Sequence, residues 1–108
     1  MSVFAQLPEP PYYAVIFSSQ RPGLDDGYGD MADRMVELSS ASEGFLGIES
    51  TRDADGFGIT VCYWRALADI ARRKANAEHQ LAQQLGYAGW YQHFELRIAK
   101  VERAYSMR

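Results

Sequence analysis

Apolar positions along this chain fall into four short runs with strand character and two longer stripes with helical spacing. The first run, Tyr12 to Ser19, is rich in aromatic and β-branched residues and is bounded by Pro11 and Arg21-Pro22, so it reads as a strand. Tyr13, Val15 and Phe17 share one face, and Tyr12, Ala14 and Ile16 share the other. Both faces are apolar, so each needs a cover. Breakers follow at Pro22-Gly23 and Asp25-Asp26-Gly27. A helix is then predicted from Tyr28 or Gly29 to Ser40, with Asp26 as N-cap and Asp30 at the positive end of its dipole. Met31, Ala32, Met35, Val36 and Leu38 form its buried stripe.

Glu43-Gly44 ends that helix. The second strand, Phe45 to Arg52, alternates Phe45, Gly47 and Glu49 against Leu46, Ile48 and Ser50. Asp53-Ala54-Asp55-Gly56 is a hairpin connection, with Gly56 free to take a positive φ. The third strand, Phe57 to Trp64, pairs back antiparallel. A second helix is predicted from Ala66 to Leu85, with Leu67, Ile70, Ala71, Ala77, Leu81 and Leu85 as its core stripe. Lys74 and Glu78 interrupt that stripe, and Gly86 stops the helix. The last strand runs from Trp90 to about Tyr105. Phe94, Leu96 and Ile98 share one parity, while Val101 and Tyr105 do not. A bulge or a change of burial near Ala99 is therefore expected.

The order β-α-β-β-α-β is the split βαβ, ferredoxin-like arrangement of the α+β class. It places a four-stranded antiparallel sheet against two helices on one face. The other face of the first strand stays apolar and uncovered in a single copy, so a sheet-to-sheet homodimer is expected.

Composition narrows the function classes. A chain of 108 residues with 47% apolar and 13% aromatic content is one domain with a packed core. The expected division is an arm over residues 1–11 and a single domain over residues 12–108. Pro8, Pro10 and Pro11 mark the arm as a poorly ordered lead-in or a segment lying across a neighbour. The net charge is -3, and Arg72-Arg73-Lys74 reads as the solvated face of a helix, so no nucleic-acid partner is expected. The longest apolar run, Tyr12 to Phe17, is too short to span a bilayer, so no membrane partner is expected. Met1 to Pro11 lacks the pattern of a signal peptide. The lone Cys62 has no internal disulfide partner and reads as a buried, inert thiol. Cytoplasmic residence fits these features.

The chemistry-bearing residues are few. Phosphate loops, nucleophile elbows and paired Cys/His motifs are missing. His79 and His93 are the only histidines, too few for a dedicated metal site. Trp64, where a strand meets a helix, reads as core or as the wall of a cavity for a flat ring. Trp90 and Tyr91 open the last strand and pack under the second helix. His79 shares a helix face with Arg72 and Asn76; it reads as a solvated group or as a general base. Arg73 reads as a surface charge or as a partner for a carboxylate or phenolate. Tyr12 and Tyr13 carry hydroxyls into an apolar strand, where buried hydroxyls need partners; they read as plain packing or as one hydroxyl facing the cavity.

Several residues together resemble a known family. They are Glu43-Gly44-Phe45-Leu46-Gly47, Glu49, Tyr63-Trp64-Arg65, Asp69-Ile70, Lys74 and Glu78-His79. Gly86, Trp90-Tyr91, Arg97-Ile98-Ala99, Val101, Glu102 and Arg103 complete the set. From Tyr12 to Tyr105 the chain resembles the antibiotic biosynthesis monooxygenases, which are dimeric α+β barrels. The resemblance implies a homodimer, a cavity between helices and sheet, and oxidation of a small aromatic or quinol-like molecule by dioxygen without a cofactor or metal. The implied substrate contacts are Trp64, Tyr13, Phe17, Asn76, Arg73 and Trp90, with His79 as the catalytic group. Arg73 stands where the family often has a second Trp, and Asn76 where a His is common. The first strand offers Ser18 and Ser19 rather than the Asn of the heme-degrading branch, so heme turnover is not expected. A non-catalytic, ligand-binding or structural dimer is the alternative.

Overall fold

The computed structural model describes residues 3–22, 37–75 and 91–107. Strands β1 (Tyr12–Gln20), β2 (Phe45–Arg52), β3 (Phe57–Trp64) and β4 (His93–Val101) form one antiparallel sheet in the order β2-β3-β1-β4. A helical turn, α1 (residues 37–40), and helix α2 (Leu67–Lys74) accompany it. The protein is an α+β, ferredoxin-like fold, as the apolar pattern predicts. The upstream part of the predicted first helix, with Asp26 and Asp30, and the second helix beyond Ala75 lie outside the described residues. Among the described residues no helix is long and apolar enough to cross a membrane.

Register divides the sheet into two faces, because directly paired strand residues project to the same side. Tyr13, Val15, Phe17 and Ser19 pair with Trp64, Cys62, Thr60 and Gly58 of β3. They also pair with Lys100, Ile98, Leu96 and Phe94 of β4. Helix α2 lies on this side, the helix face. Tyr12, Ala14, Ile16 and Ser18 share the opposite face with Tyr63, Val61 and Ile59.

Residues 3–11 cover part of that opposite face. A side chain at Gly47 would meet Ala5 Cβ at 2.8 Å and Leu7 Cδ2 at 3.3 Å, so the missing Cβ makes the arm's seat. The Ala5 amide donates to Glu49 Oε2 at 3.1 Å, and the Tyr63 hydroxyl donates to Glu49 Oε1 at 2.7 Å. The arm therefore lies on its own sheet, where the sequence suggested loose chain or a segment across a neighbour.

Three further expectations change. Strand β2 carries a bulge between Phe45 and Gly47, so Leu46 is extra and Phe45 pairs with Trp64. Phe45 thus joins the helix face with Ile48 and Ser50, which strict alternation would not allow. Strand β4 stops at Val101 and pairs with β1 without interruption, so the bulge near Ala99 is not found; the alternative, a change of burial, is, because Phe94 is half-buried on one parity and Val101 on the other, with exposed residues between. Residues 102–107 carry no regular structure, and Tyr105 is exposed. Finally, Leu67 and Ala71 of α2 are exposed, while Asp69 and Arg73 are buried. The hairpin follows expectation: Gly56 has φ +92°, and Asp53 Oδ1 accepts from the Asp55 and Phe57 amides at 2.9 and 3.0 Å.

Gly44 joins the α1 end to β2 and α2. Its φ is +83°, and an added Cβ would collide with the Asp69 carboxylate. Its carbonyl accepts from the Arg65 amide at 2.8 Å. Gly44→Ala is therefore expected to cost more than about 2 kcal/mol, combining left-handed strain with a displaced buried charge. Urea unfolding measures this; a loss under about 0.5 kcal/mol, the range of ordinary surface changes, would show that the contact is dispensable.

Candidate functional site

The helix face of the sheet is an aromatic floor. At one end Trp64 is buried and meets Phe45 edge-on, with centroids 5.4 Å apart and planes at 81°. Tyr13 is the Cα partner of Trp64 on the neighbouring strand. At the other end Phe17 packs on Tyr91 and Phe94, each at 5.3 Å, with Tyr91 and Phe94 6.0 Å apart. Tyr13 and Phe17 are four residues apart on β1, about 13 Å. Val15, Cys62, Ile48 and Ile98 lie between these ends. Leu96 and Ile98 are half exposed, so the floor is open along β4.

Helix α2 is fastened over this floor by polar contacts. Arg73 is only 8% exposed and donates from Nε to Ser39 Oγ at 3.0 Å. The expectation of a wholly solvated Arg72-Arg73-Lys74 face is thus corrected at its middle residue. A buried guanidinium requires hydrogen bonds to offset its lost hydration, and Ser39 of α1 supplies one. Asp69, one helical turn earlier, accepts from Arg72 Nη1 at 2.8 Å. Arg72 also lies 3.6 Å from Glu43 Oε2. The hydrogen bond to Asp69, helped by Glu43, raises the pKa of Arg72.

Ser42, Glu43, Asp69, Arg72 and Arg73 line a cleft of about 200 Å³. Its lining side chains are two carboxylates, two guanidiniums and a hydroxyl, with no aromatic ring among them, so it offers an aromatic ligand less than the floor does. Tyr13, Phe17 and Trp64 lie on one face, and Arg73 reaches that side from the helix. Asn76, His79 and Trp90 lie outside the described residues.

Sequence reasoning quoted Asp69, Glu49 and Tyr63 as family marks but gave them no contacts, and it did not single out Ser39. The available signal for the first was Gly44, a residue whose positive φ and open side leave room for a carboxylate. On the opposite face, Tyr63 is pushed up to about 12, by desolvation and by the hydrogen bond to Glu49. It therefore stays a neutral donor at physiological pH.

Burial pushes the Cys62 thiol up to about 11, and Arg73 opposes that only in part. Folding thus favours the protonated thiol. The unfolded thiol ionises near its ordinary value of 9.0, so this group lowers stability as pH rises from about 9 to about 11 and has no effect below that window. Thiolate absorbance of the folded protein should titrate near pH 11, and alkylation at pH 8 should be much slower than in urea. A folded-state midpoint at or below 9 would contradict the burial.

No family model matches the chain. The uncharacterised protein YqjZ of Bacillus subtilis (strain 168) is 50% identical over 103 residues, covering 95% of this chain and 90% of YqjZ. Among solved structures, SnoaB, a cofactor-independent oxygenase from Streptomyces nogalater, superposes with a TM-score of 0.74 at 11% identity, covering 88% of this chain and 97% of SnoaB. PA3566 from Pseudomonas aeruginosa gives 0.70 at 18% identity, covering 91% and 99%. A Nitrosomonas europaea protein that takes its name from the antibiotic biosynthesis monooxygenases gives 0.71 at 12%, covering 89% and 94%. At these identities the structural likeness is one of fold. The chain therefore belongs to the family of YqjZ and has the fold of the antibiotic biosynthesis monooxygenase-like proteins.

Proposed function

We propose that this protein is a homodimeric, cofactor-independent monooxygenase-like enzyme acting on a small aromatic or quinol-like molecule. The carrying observation is the aromatic floor, with Trp64 and Tyr13 at one end and Phe17, Tyr91 and Phe94 at the other. An apolar floor with few polar groups is the usual form of a small-ligand site. The name of SnoaB, a cofactor-independent oxygenase with this fold, supports the reaction class.

In this reading the substrate ring lies on the floor, where Tyr13, Phe17 and Trp64 are contacts. Asn76, Arg73 and Trp90 complete the proposed substrate set. His79 removes a proton from the bound phenol, quinol or benzylic carbon. The resulting anion transfers electrons to dioxygen. One oxygen atom enters the substrate as a new carbonyl oxygen; the two hydrogens lost, both from a benzylic carbon or one from a ring carbon and one from the phenol hydroxyl, leave with the other oxygen as water. Cys62, held as a thiol, is not the base. The guanidinium of Arg73 stays charged and suits an anionic ring oxygen.

A non-catalytic ligand-binding dimer is the second reading. It is favoured by the engagement of Asp69 with Arg72 and of Arg73 with Ser39, which gives these polar groups structural work.

Oxygen consumption with a panel of phenols and quinols separates the two. Trp64→Phe and His79→Gln are the cleaner probes, because removing a packed Trp altogether costs about 3–5 kcal/mol. His79→Gln is expected to lower turnover by roughly 10²-fold or more with binding retained. Trp64→Phe should weaken binding. Unchanged binding and turnover in both variants would place the site elsewhere. Binding without oxygen uptake in the parent would establish the second reading.

The homodimer is proposed from the apolar residues left on the face opposite the helices. Light scattering at micromolar concentration should give twice the 12.2 kDa chain mass. A monomer under those conditions would defeat this part of the reading.

A further inference from the structure

We infer that the N-terminal arm is a built part of the interface with a second copy of this chain, and that it sets the direction of the two-fold axis. This rests on the homodimer reading above and adds to it which parts of each copy meet.

The face opposite the helices is stepped along its strands. At one end the arm is seated on Gly47 and held by Glu49, and Tyr12 and Ala14 beside it are buried. At the other end of β3, Phe57 is 46% exposed and Ile59 38%. The face is raised where the arm lies and bare beyond it.

A two-fold axis brings the same patch of both copies together. With the axis along the strands, arm meets arm and the bare ends are held apart. With the axis across the strands, each arm enters the bare end of the other copy. Only the second arrangement closes the step on both sides. The arm also presents the right chemistry. Val3 is 84% exposed and Phe4 71%, although the neighbouring Ala5 is fixed by its amide. In the crosswise arrangement this apolar pair covers the partner's Phe57 and the partner's Ile59.

Area points the same way. Four strands about 4.8 Å apart, with about eight residues each at ~3.3 Å, span roughly 500 Å² per copy, part of it already under the arm. Two such faces alone therefore stay below about 1,000 Å², the lower bound for a specific interface. Seating the arms adds the surface that a stable dimer needs. The β4 margin is polar: His93 pairs with Glu95 at 2.6 Å, and Arg97 lies 4.0 Å from Glu95. Such a margin suits a hydrated rim.

Two measurements on the full chain test this. Phe4→Cys and Phe57→Cys proteins are mixed, allowed to exchange subunits and treated with a short bismaleimide, with the parent as control for Cys62. Covalent dimer is expected in the mixture and in neither variant alone. Cross-linking within either single variant, or none in any combination from a dimeric parent, would overturn the axis assignment. Val3→Asp should weaken the dimer at least ~10-fold by sedimentation, with an unchanged circular dichroism spectrum. Unchanged or tighter association would overturn the role of the arm. A monomeric parent would remove the homodimer reading itself, whereas a dimeric parent with the wrong cross-links removes only this inference.

Discussion

The central strand β1 carries apolar side chains on both of its faces, and a single layer of helices can cover only one. Ala14 and Val15 are adjacent in sequence yet belong to opposite sides of the sheet. Each apolar side chain left in water forgoes roughly 1.5–3 kcal/mol of burial, so neither side can be left bare without loss. The chain meets this demand unequally. On one side α2 closes over Trp64 and Cys62. On the other, a nine-residue arm (residues 3–11) covers the Tyr12 end and stops. The aromatic floor and the remaining bare surface are therefore two results of one constraint.

The helix side is organised by polar contacts as much as by apolar ones. A buried stripe made of Asp69 and Arg73 is an expensive way to seat a helix, because each charge loses hydration on burial. Its merit is directional. Asp69 fits only where Gly44 lacks a side chain, and Arg73 reaches the hydroxyl of Ser39. A purely apolar stripe would tolerate sliding of α2 along the sheet. The two polar contacts fix its position, and with it the distance between Arg73 and the floor. The same burial keeps Cys62 a thiol, so Arg73 faces an uncharged neighbour rather than a thiolate that would neutralise it.

How much of this was legible in the sequence depends on the range of the interaction. The alternation in β1 and β3 and the Asp53–Gly56 connection are local, and with the helical stripes they specified the element order, the pairing of β2 with β3 and the ferredoxin-like fold. Tyr13 and Phe17 could be placed on one face from parity alone, whereas Trp64 joins them only through the register of β1 with β3. Arg73 could not be read as buried, because its partner Ser39 is 34 residues away and a charge on a helix defaults to solvent. Leu67 failed in the opposite sense: its apolar character suggested core, but Asp69 takes the seat against Gly44. The bulge at Leu46 was hidden because one extra residue leaves composition unchanged while it reverses the parity of Phe45. The arm was hidden because its anchor is an absence, the missing Cβ of Gly47.

The two faces are not independent, since they share one backbone. Tyr12 lies under the arm and meets Tyr63 edge-on at 5.8 Å, while Tyr13 sits on the floor beside Trp64. Tyr63 and Trp64 alternate in the same way on β3. A change that lifts the arm frees Glu49 from Ala5 and Tyr63 from its cover, and any shift of β3 that follows moves Trp64 with it. Cores and sheets transmit such shifts because they are close-packed. Substitutions on opposite faces of β1 and β3 therefore couple through residues in direct contact, so their effects on stability and on ligand binding do not add as those of distant sites do.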